Sequence, residues 1–293
     1  MNPPPVRALF AKRLWTAAGA AALLLAGLGA WYWGAVRQRD DLAWRAVVER
    51  GVLVVATDAT YPPFSAVDAD GNLFGFDIDL AEALAGRLSA RAGREVRAEF
   101  ENLAYDALLP ALVAGRDDAV ISAFVAQPER AKEVAYTRPY FTAGTVAVIA
   151  EGDAPLASAE AGPAWAAGRR LAVEYGAGGD VFARQWARLA DGVAIQPAPS
   201  AAEALAALAA GTADAALVDS LSAYDFLRGQ PGYRLAGPPL DPEPYVVAVS
   251  ARSRLLRAAL DEVLAEMAAD GSLAALVEKW FGPAAATASA PQN

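Results

Sequence analysis

From Val52 onward the sequence alternates short apolar runs with longer stretches of helical spacing, and this alternation restricts the fold more than any other feature. Val52, Leu53, Val54, Val55 and Ala56 form one unbroken apolar run, the pattern of a buried strand. Residues 77–90 place Ile78, Leu80, Leu84 and Leu88 at helical spacing. Residues 96–100 read as a strand, 105–114 as a helix and 119–122 as a strand. A second series follows, with strands at 171–173, near Val193 and at 215–218, and helices from about Gly179 and over 201–210. Strands that alternate with helices imply parallel sheets in an α/β architecture. Within this pattern, 109–120 and 205–216 echo one another. In each, a leucine-bearing helix is closed by a glycine (Gly115, Gly211), and a polar turn ending in Asp-Ala leads into a buried strand. Two similar α/β lobes explain the echo; the competing explanation is that αβ units look alike in any alanine-rich chain. Open α/β sheets receive ligands beyond the carboxyl ends of their strands, so two such ends facing each other would form a cleft.

Composition removes whole classes of chemistry. The 293 residues include no cysteine and no histidine. There is therefore no disulfide, no thiolate nucleophile, no lipid-bearing cysteine, no Ser-His-Asp triad and no imidazole metal site. Any metal would need oxygen ligands, and no cofactor is expected: no G-x-x-x-x-G-K-[ST] run occurs, and 176–180 does not read as G-x-G-x-x-G. The 34 acidic against 25 basic residues, net −9, argue against nucleic acid as a partner, because phosphate binding needs a basic face. The length suits about two domains, and 55% hydrophobic residues can bury a core in each.

Residues 14–36 carry no charge and, as a helix, would span about 34 Å, enough for a bilayer core. Arg7, Lys12 and Arg13 precede them, and no acidic residue appears before Asp40. The positive-inside bias puts 1–13 in the cytoplasm and the remainder outside. Trp31, Tyr32 and Trp33 cluster where an interface would lie, which favours a signal anchor. A cleaved signal peptide is the alternative, although the small-x-small pattern near Gly29 and Ala30 is weak. Residues 37–50, with mixed charge, read as a short helical stalk, and the Pro/Ala/Ser-rich 283–293 as a disordered tail.

A series of motifs runs through the exported part in a fixed order. It opens with Arg50-Gly51-Val52 through Asp58-Ala59-Thr60-Tyr61-Pro62-Pro63-Phe64, then Gly75-Phe76-Asp77-Ile78-Asp79-Leu80. Leu108-Leu109-Pro110, Pro128-Glu129-Arg130 and Thr137-Arg138-Pro139-Tyr140-Phe141 follow, and Asp270-Gly271-Ser272 and Lys279-Trp280-Phe281-Gly282 close it. Together these resemble the polar amino-acid-binding family of extracellular solute-binding proteins (family 3), over about 51–282. The resemblance implies a two-lobed α/β periplasmic-binding-protein clamshell of type II, which would follow the N-terminal signal-anchor helix read from 14–36. Lobe 1 would be 51–144 and 246–282, and lobe 2 would be 145–245. The chain would cross between lobes near 143–150 and 244–249.

The resemblance also assigns ligand-binding roles. Arg130 would hold a ligand α-carboxylate through its forked guanidinium; a surface pairing with Glu129 or Glu133 is the other reading. Asp219 ends a strand and would take the α-ammonium, or cap the helix starting at Ser220, or both. Tyr61 and Tyr105 would sandwich the ligand side chain, with Phe64 as an adjacent wall; core packing is the alternative for all three. Flat aromatic faces suit aliphatic stems and cationic heads. Asp58 would meet a polar or cationic side chain, and Glu174 would add a second carboxylate or stand on the cleft rim. Gly178, in the helix-opening turn 176–180, would let backbone N–H groups approach the α-carboxylate. Ser122, Ala123 and Val125 complete the set. The family commonly carries hydroxyl residues where this chain has Ala123, Val125 and Gly178, and a threonine at Gln127. Each lost hydroxyl would cost roughly 0.5–1.5 kcal/mol of ligand hydrogen bonding.

The function implied is an extracytoplasmic receptor, tethered to the membrane by its N-terminal helix. It would take a free amino acid such as Arg, Lys or Gln and deliver it to an ABC transporter permease. A cyclohexadienyl-dehydratase-like enzyme using Glu174 or Asp58 as general acid is a second possibility on the same fold. A sensory ectodomain acting through a separate partner is a third.

Overall fold

The computed structural model describes residues 42–288 together with Gly27. The segment 14–36, Gly27 apart, lies outside the described residues, as do 1–13, 37–41 and 289–293. No helix among the described residues is long and apolar enough to cross a membrane.

Two five-stranded sheets organise the chain. In lobe 1 the order is β5 (Arg97–Asn102), β1 (Val52–Thr57), β6 (Ala119–Val120), β13 (Glu243–Ser250) and β7 (Val134–Ala143). In lobe 2 it is β10 (Ala194–Ala198), β9 (Arg170–Glu174), β11 (Ala215–Asp219), β8 (Thr145–Ala150) and β12 (Tyr233–Leu235). A small third sheet, β2 (Thr60–Tyr61), β3 (Ser65–Val67) and β4 (Leu73–Phe74), decorates lobe 1.

The sheets are mixed, not wholly parallel as the alternation implies. β1 pairs in parallel with β5 and β6, and β9 with β10 and β11, but β13 and β8 run against their neighbours. The reason is where these two strands begin. Both leave the hinge, on the side where the parallel strands of their sheet end. Thr145 opens β8 opposite Asp219, which ends β11, and Glu243 opens β13 opposite Ala143, which ends β7. Gly144 is the first crossing. The second precedes Glu243, so β13 joins lobe 1 from its first residue, three positions earlier than expected at 246.

The sequence echo marks equivalent units of the two lobes. Helix α3 (Tyr105–Ala114) ends at Gly115, which is left-handed at φ 77°, and feeds β6. Helix α6 (Ala201–Ala209) ends near Gly211, φ 72°, and feeds β11. The aspartate before each strand does the same work. Asp118 Oδ2 accepts the Val54 N–H at 2.8 Å, and Asp214 Oδ2 accepts the Arg170 N–H at 2.7 Å. Each carboxylate thus pins a turn to the adjacent parallel strand.

Lobe 1 packs α2 (Phe76–Ala92), α8 (Arg254–Ala269) and α9 (Ser272–Phe281) over one face of its sheet, burying Leu53, Phe76, Leu84, Phe141 and Phe281. Residues 42–50 are helical (α1), and Val47 is fully buried in that same core, so this part of the expected stalk is built into lobe 1. The tail expected to be disordered from 283 is a helix, α10 (Pro283–Ala288), with Ala285 fully buried. Proline tolerates the first helical position and alanine has the highest helix propensity, so a packed neighbour suffices to order it. Lobe 2 fills both faces of its sheet, with α5 (Gly178–Ala187) on one side and α6 on the other. Helix α7 (Ser220–Gly229) leaves β11 and inserts Tyr224, 1% exposed, into the lobe 1 core.

Candidate ligand-binding cleft

A cavity of about 310 Å³ opens at the hinge between the lobes. Tyr61 of lobe 1, Gly178 and Asp219 of lobe 2, and the hinge residues Thr145, Asp241 and Glu243 line it. Three carboxylates therefore face one small volume. Asp241 is partly committed, because the Thr145 N–H and hydroxyl donate to its two oxygens at 2.5 and 3.1 Å. This clasp ties the two crossing segments together beside Gly144. There φ is 136° and a Cβ would stand 2.5 Å from the Asp241 carbonyl oxygen, so the crossing requires glycine.

Further carboxylates stand at the strand ends. Asp58 follows β1, donates its N–H to Ser122 Oγ at 3.0 Å, and accepts from the Thr60 hydroxyl at 2.7 Å. Glu174 occupies the matching end of β9 and is half-buried. Asp219 is exposed at the end of β11, and its Oδ1 accepts the Ser222 N–H at 2.9 Å, so it caps α7 while its other oxygen remains available to the cleft.

The aromatic expectation separates. Tyr61 is 46% exposed and stacks on Phe64 with ring centroids 5.5 Å apart and planes 8° apart. Phe64 is fully buried, with Phe76, Phe141, Tyr245 and Phe281 around it, so it backs Tyr61 and does not form a cleft wall. The Pro-Pro turn before it turns the ring inward, a packing outcome that residue type alone does not reveal. Tyr105 opens α3, is 47% exposed, and begins a ladder through Phe124 to Tyr136 at 5.7 and 6.4 Å. Burial first, and then the neighbouring Tyr136, raise its phenol above the ordinary value. Tyr245, behind Tyr61, is raised further, by burial and then by the Tyr61 phenol and Glu243.

The loop after β6 carries Ser122, Ala123 and Val125. Ala123 holds φ 44°, the left-handed region, and Val125 forms a bridge with Tyr245. Arg130 sits in a single 3-10 turn, Pro128–Arg130, where a helix start was expected. Gln127 makes no side-chain cap there, as its replacement of the family threonine leads one to expect. The Arg130 guanidinium pairs with Glu133 at 2.9 Å and does not line the hinge cavity. Gly178 opens α5 as expected. What approaches it is the Thr145 hydroxyl, 2.5 Å from where a Cβ would stand.

The cavity thus unites Tyr61, Gly178 and Asp219 among the expected residues. Asp58, Tyr105, Arg130 and Glu174 do not line it, and Thr145, Asp241 and Glu243 do without being legible in the sequence. Their signal was faint: Asp241 lies in the proline-rich run 238–242, next to a crossing.

The profile described as bacterial extracellular solute-binding proteins, family 3, matches residues 53–283. An L-cystine-binding protein of Escherichia coli (strain K12) is 31% identical over 245 residues, covering 83% of this chain and 87% of that one. A histidine-binding periplasmic protein of Salmonella typhimurium is 31% identical over 238 residues, covering 78% and 86%. Among solved structures, the L-cystine solute receptor of Neisseria gonorrhoeae in its unliganded open conformation superposes with a TM-score of 0.67 at 25% identity, covering 83% and 97%. Both relatives are named for binding, not for catalysis. With the motif order, the paired lobes and the hinge cleft, these matches establish that the chain belongs to the bacterial extracellular solute-binding proteins, family 3.

Proposed function

We propose that the protein captures a polar amino acid with a cationic or amide side chain between its lobes, outside the cytoplasm, and delivers it to an ABC transporter permease. The carrying observation is the hinge cavity, where Asp219, Asp241 and Glu243 share one volume with the exposed face of Tyr61. The ligand ammonium matches Asp219. A cationic or amide head suits the tyrosine faces and the remaining carboxylates, Asp58 and Glu174 among them. Arg130 takes the α-carboxylate by exchanging Glu133 for the ligand. That exchange is cheap, because an exposed pair is worth about 0–1 kcal/mol. Ser122, Ala123, Val125 and the start of α5 supply backbone groups. A zwitterion bridging Arg130 and Asp219, on opposite lobes, binds the closed state better than the open one and so drives closure. Cystine and histidine, which name the two relatives, are likewise α-amino acids. Residues 14–36 provide the membrane tether; intact mass of the mature protein and its recovery with membranes test that part.

The deciding experiment is a thermal-shift screen with the twenty L-amino acids and L-cystine. Stabilisation by arginine, lysine, glutamine or histidine supports the reading. No response to any amino acid, or a preference for aspartate or glutamate, refutes it.

A further inference from the structure

The run Gly75 to Leu80 contributes no group to the cavity, yet its helix turn touches both ligand loops of lobe 1. The Phe76 and Asp77 N–H groups donate to the Pro63 and Phe64 carbonyls, each at 2.9 Å. The approach is so close that a Cβ on Gly75 would stand 2.1 Å from the Phe64 oxygen. These bonds hold the loop that presents Tyr61. The Asp77 side chain, 1% exposed, turns the other way: Oδ2 accepts the Ala123 N–H at 2.7 Å and Oδ1 the Tyr140 hydroxyl at 2.9 Å. Ala123 is the one non-glycine residue with positive φ among the described residues, and its neighbour Ser122 holds the Asp58 N–H. A left-handed alanine is a strained conformation that persists only when its surroundings impose it.

We propose that Asp77 is a positioning residue for the cleft: through the Ala123 N–H it imposes the left-handed turn that aims the 122–125 loop at the ligand. This rests on the amino-acid-binding reading above. Asp77 belongs to α2, and the groups facing it are Tyr140 of β7 and, further off, Tyr245 of β13. Asp79, on the same turn, faces away, with Lys279 and Trp280 on its carboxylate. Burial raises the Asp77 carboxyl to about 7, against the lowering effect of the Tyr140 and Ala123 hydrogen bonds. Above that pH the acceptor is a carboxylate and grips the amide strongly; below it the neutral acid grips more weakly. The loop therefore loosens as pH falls through about 7.

The test measures hydrogen exchange at the Ala123–Val125 amides in the ligand-free protein and L-arginine binding by calorimetry, at pH 6 and pH 8. Asp77→Ala should raise exchange at these amides and weaken arginine binding, each by about tenfold, while the rest of lobe 1 exchanges as before. Wild-type affinity should fall about fivefold from pH 8 to pH 6. Asp77→Asn, which keeps a neutral acceptor of the same shape, should hold the loop only as well as the protonated wild type does, with about its pH 6 affinity at both pH values, and so abolish the pH dependence. Tyr140→Phe removes one donor, so it should move the midpoint to higher pH; this variant decides the matter should Asp77→Ala fail to fold. Unchanged loop exchange in Asp77→Ala, a persisting pH dependence in Asp77→Asn, or an unmoved midpoint in Tyr140→Phe would overturn the proposal. If the wild type binds no amino acid, the functional reading falls, and the exchange arm alone decides the positioning role.

Discussion

The two lobes contain a natural comparison at the turn that precedes their third parallel strand. Lobe 2 places Ala213 there, 3% exposed and packed in its core. Lobe 1 places Asp117, 5% exposed, with neither carboxylate oxygen hydrogen-bonded among the described residues. Burial pushes its carboxyl above the ordinary value, Arg116 opposes that, and Asp118 adds to it. Leaving a buried polar group without a partner costs about 1–3 kcal/mol. Asp117→Ala should therefore stabilise the protein by about that amount at neutral pH, raising the melting temperature by about 2–10 °C for a chain of this size. The sign with pH follows from linkage. A folded-state value above the unfolded one means that the wild type is fully relieved below the unfolded carboxylate value, and loses that relief as pH rises through the folded value. The advantage of Asp117→Ala is thus greatest near pH 7 and shrinks toward pH 4. The reciprocal change, Ala213→Asp, should destabilise by a similar amount, again most near pH 7 and less toward pH 4. Urea denaturation of both variants at pH 7 and pH 4.5 measures this. An Asp117→Ala variant no more stable than wild type at pH 7, or an advantage that grows in acid, refutes the reasoning.

Three further outcomes are expected. Phe64→Ala should cost about 3–5 kcal/mol in chemical denaturation and weaken ligand binding, because it empties the core beneath the Tyr61 ring. Arg130→Ala should abolish the ligand-induced thermal shift while changing the stability of the free protein by less than about 1 kcal/mol, since the pair it breaks is exposed. Gly178→Ser restores a hydroxyl that the family commonly carries, but its Cβ would stand 2.5 Å from Thr145 Oγ1; it should lower the melting temperature, and Thr145→Ala in the same chain should recover part of the loss.

Of the expected residues, Tyr61, Gly178 and Asp219 line the candidate cavity, and the last of these was legible because strand ends are legible. Asp58, Glu174 and Asp219 each stand where an apolar run stops, and in an α/β sheet that is where ligands meet the chain. The buried aromatics were harder. Tyr61 and Phe64 are both aromatic and three residues apart, yet one is half exposed and the other fully buried. Only the stack of one ring on the other, over a core supplied by α2, β7, β13 and α9, distinguishes them. Asp77 was visible as part of a motif, but its contacts with Ala123 and Tyr140 lie 46 and 63 residues away.

By itself the sequence determined the two lobes and their internal order. Apolar spacing, closing glycines and strand-ending carboxylates are local properties, expressed within a dozen residues wherever the chain goes. Tertiary structure decided what depends on the two crossings. It reversed β8 and β13, because both leave the hinge. It also brought Asp241 and Glu243 beside Asp219 to make the cleft acidic, and it closed α7 and α10 onto the lobe 1 core. The clasp that joins Thr145 to Asp241 spans 96 residues, and no local pattern encodes a contact that exists only once the chain has crossed between its lobes.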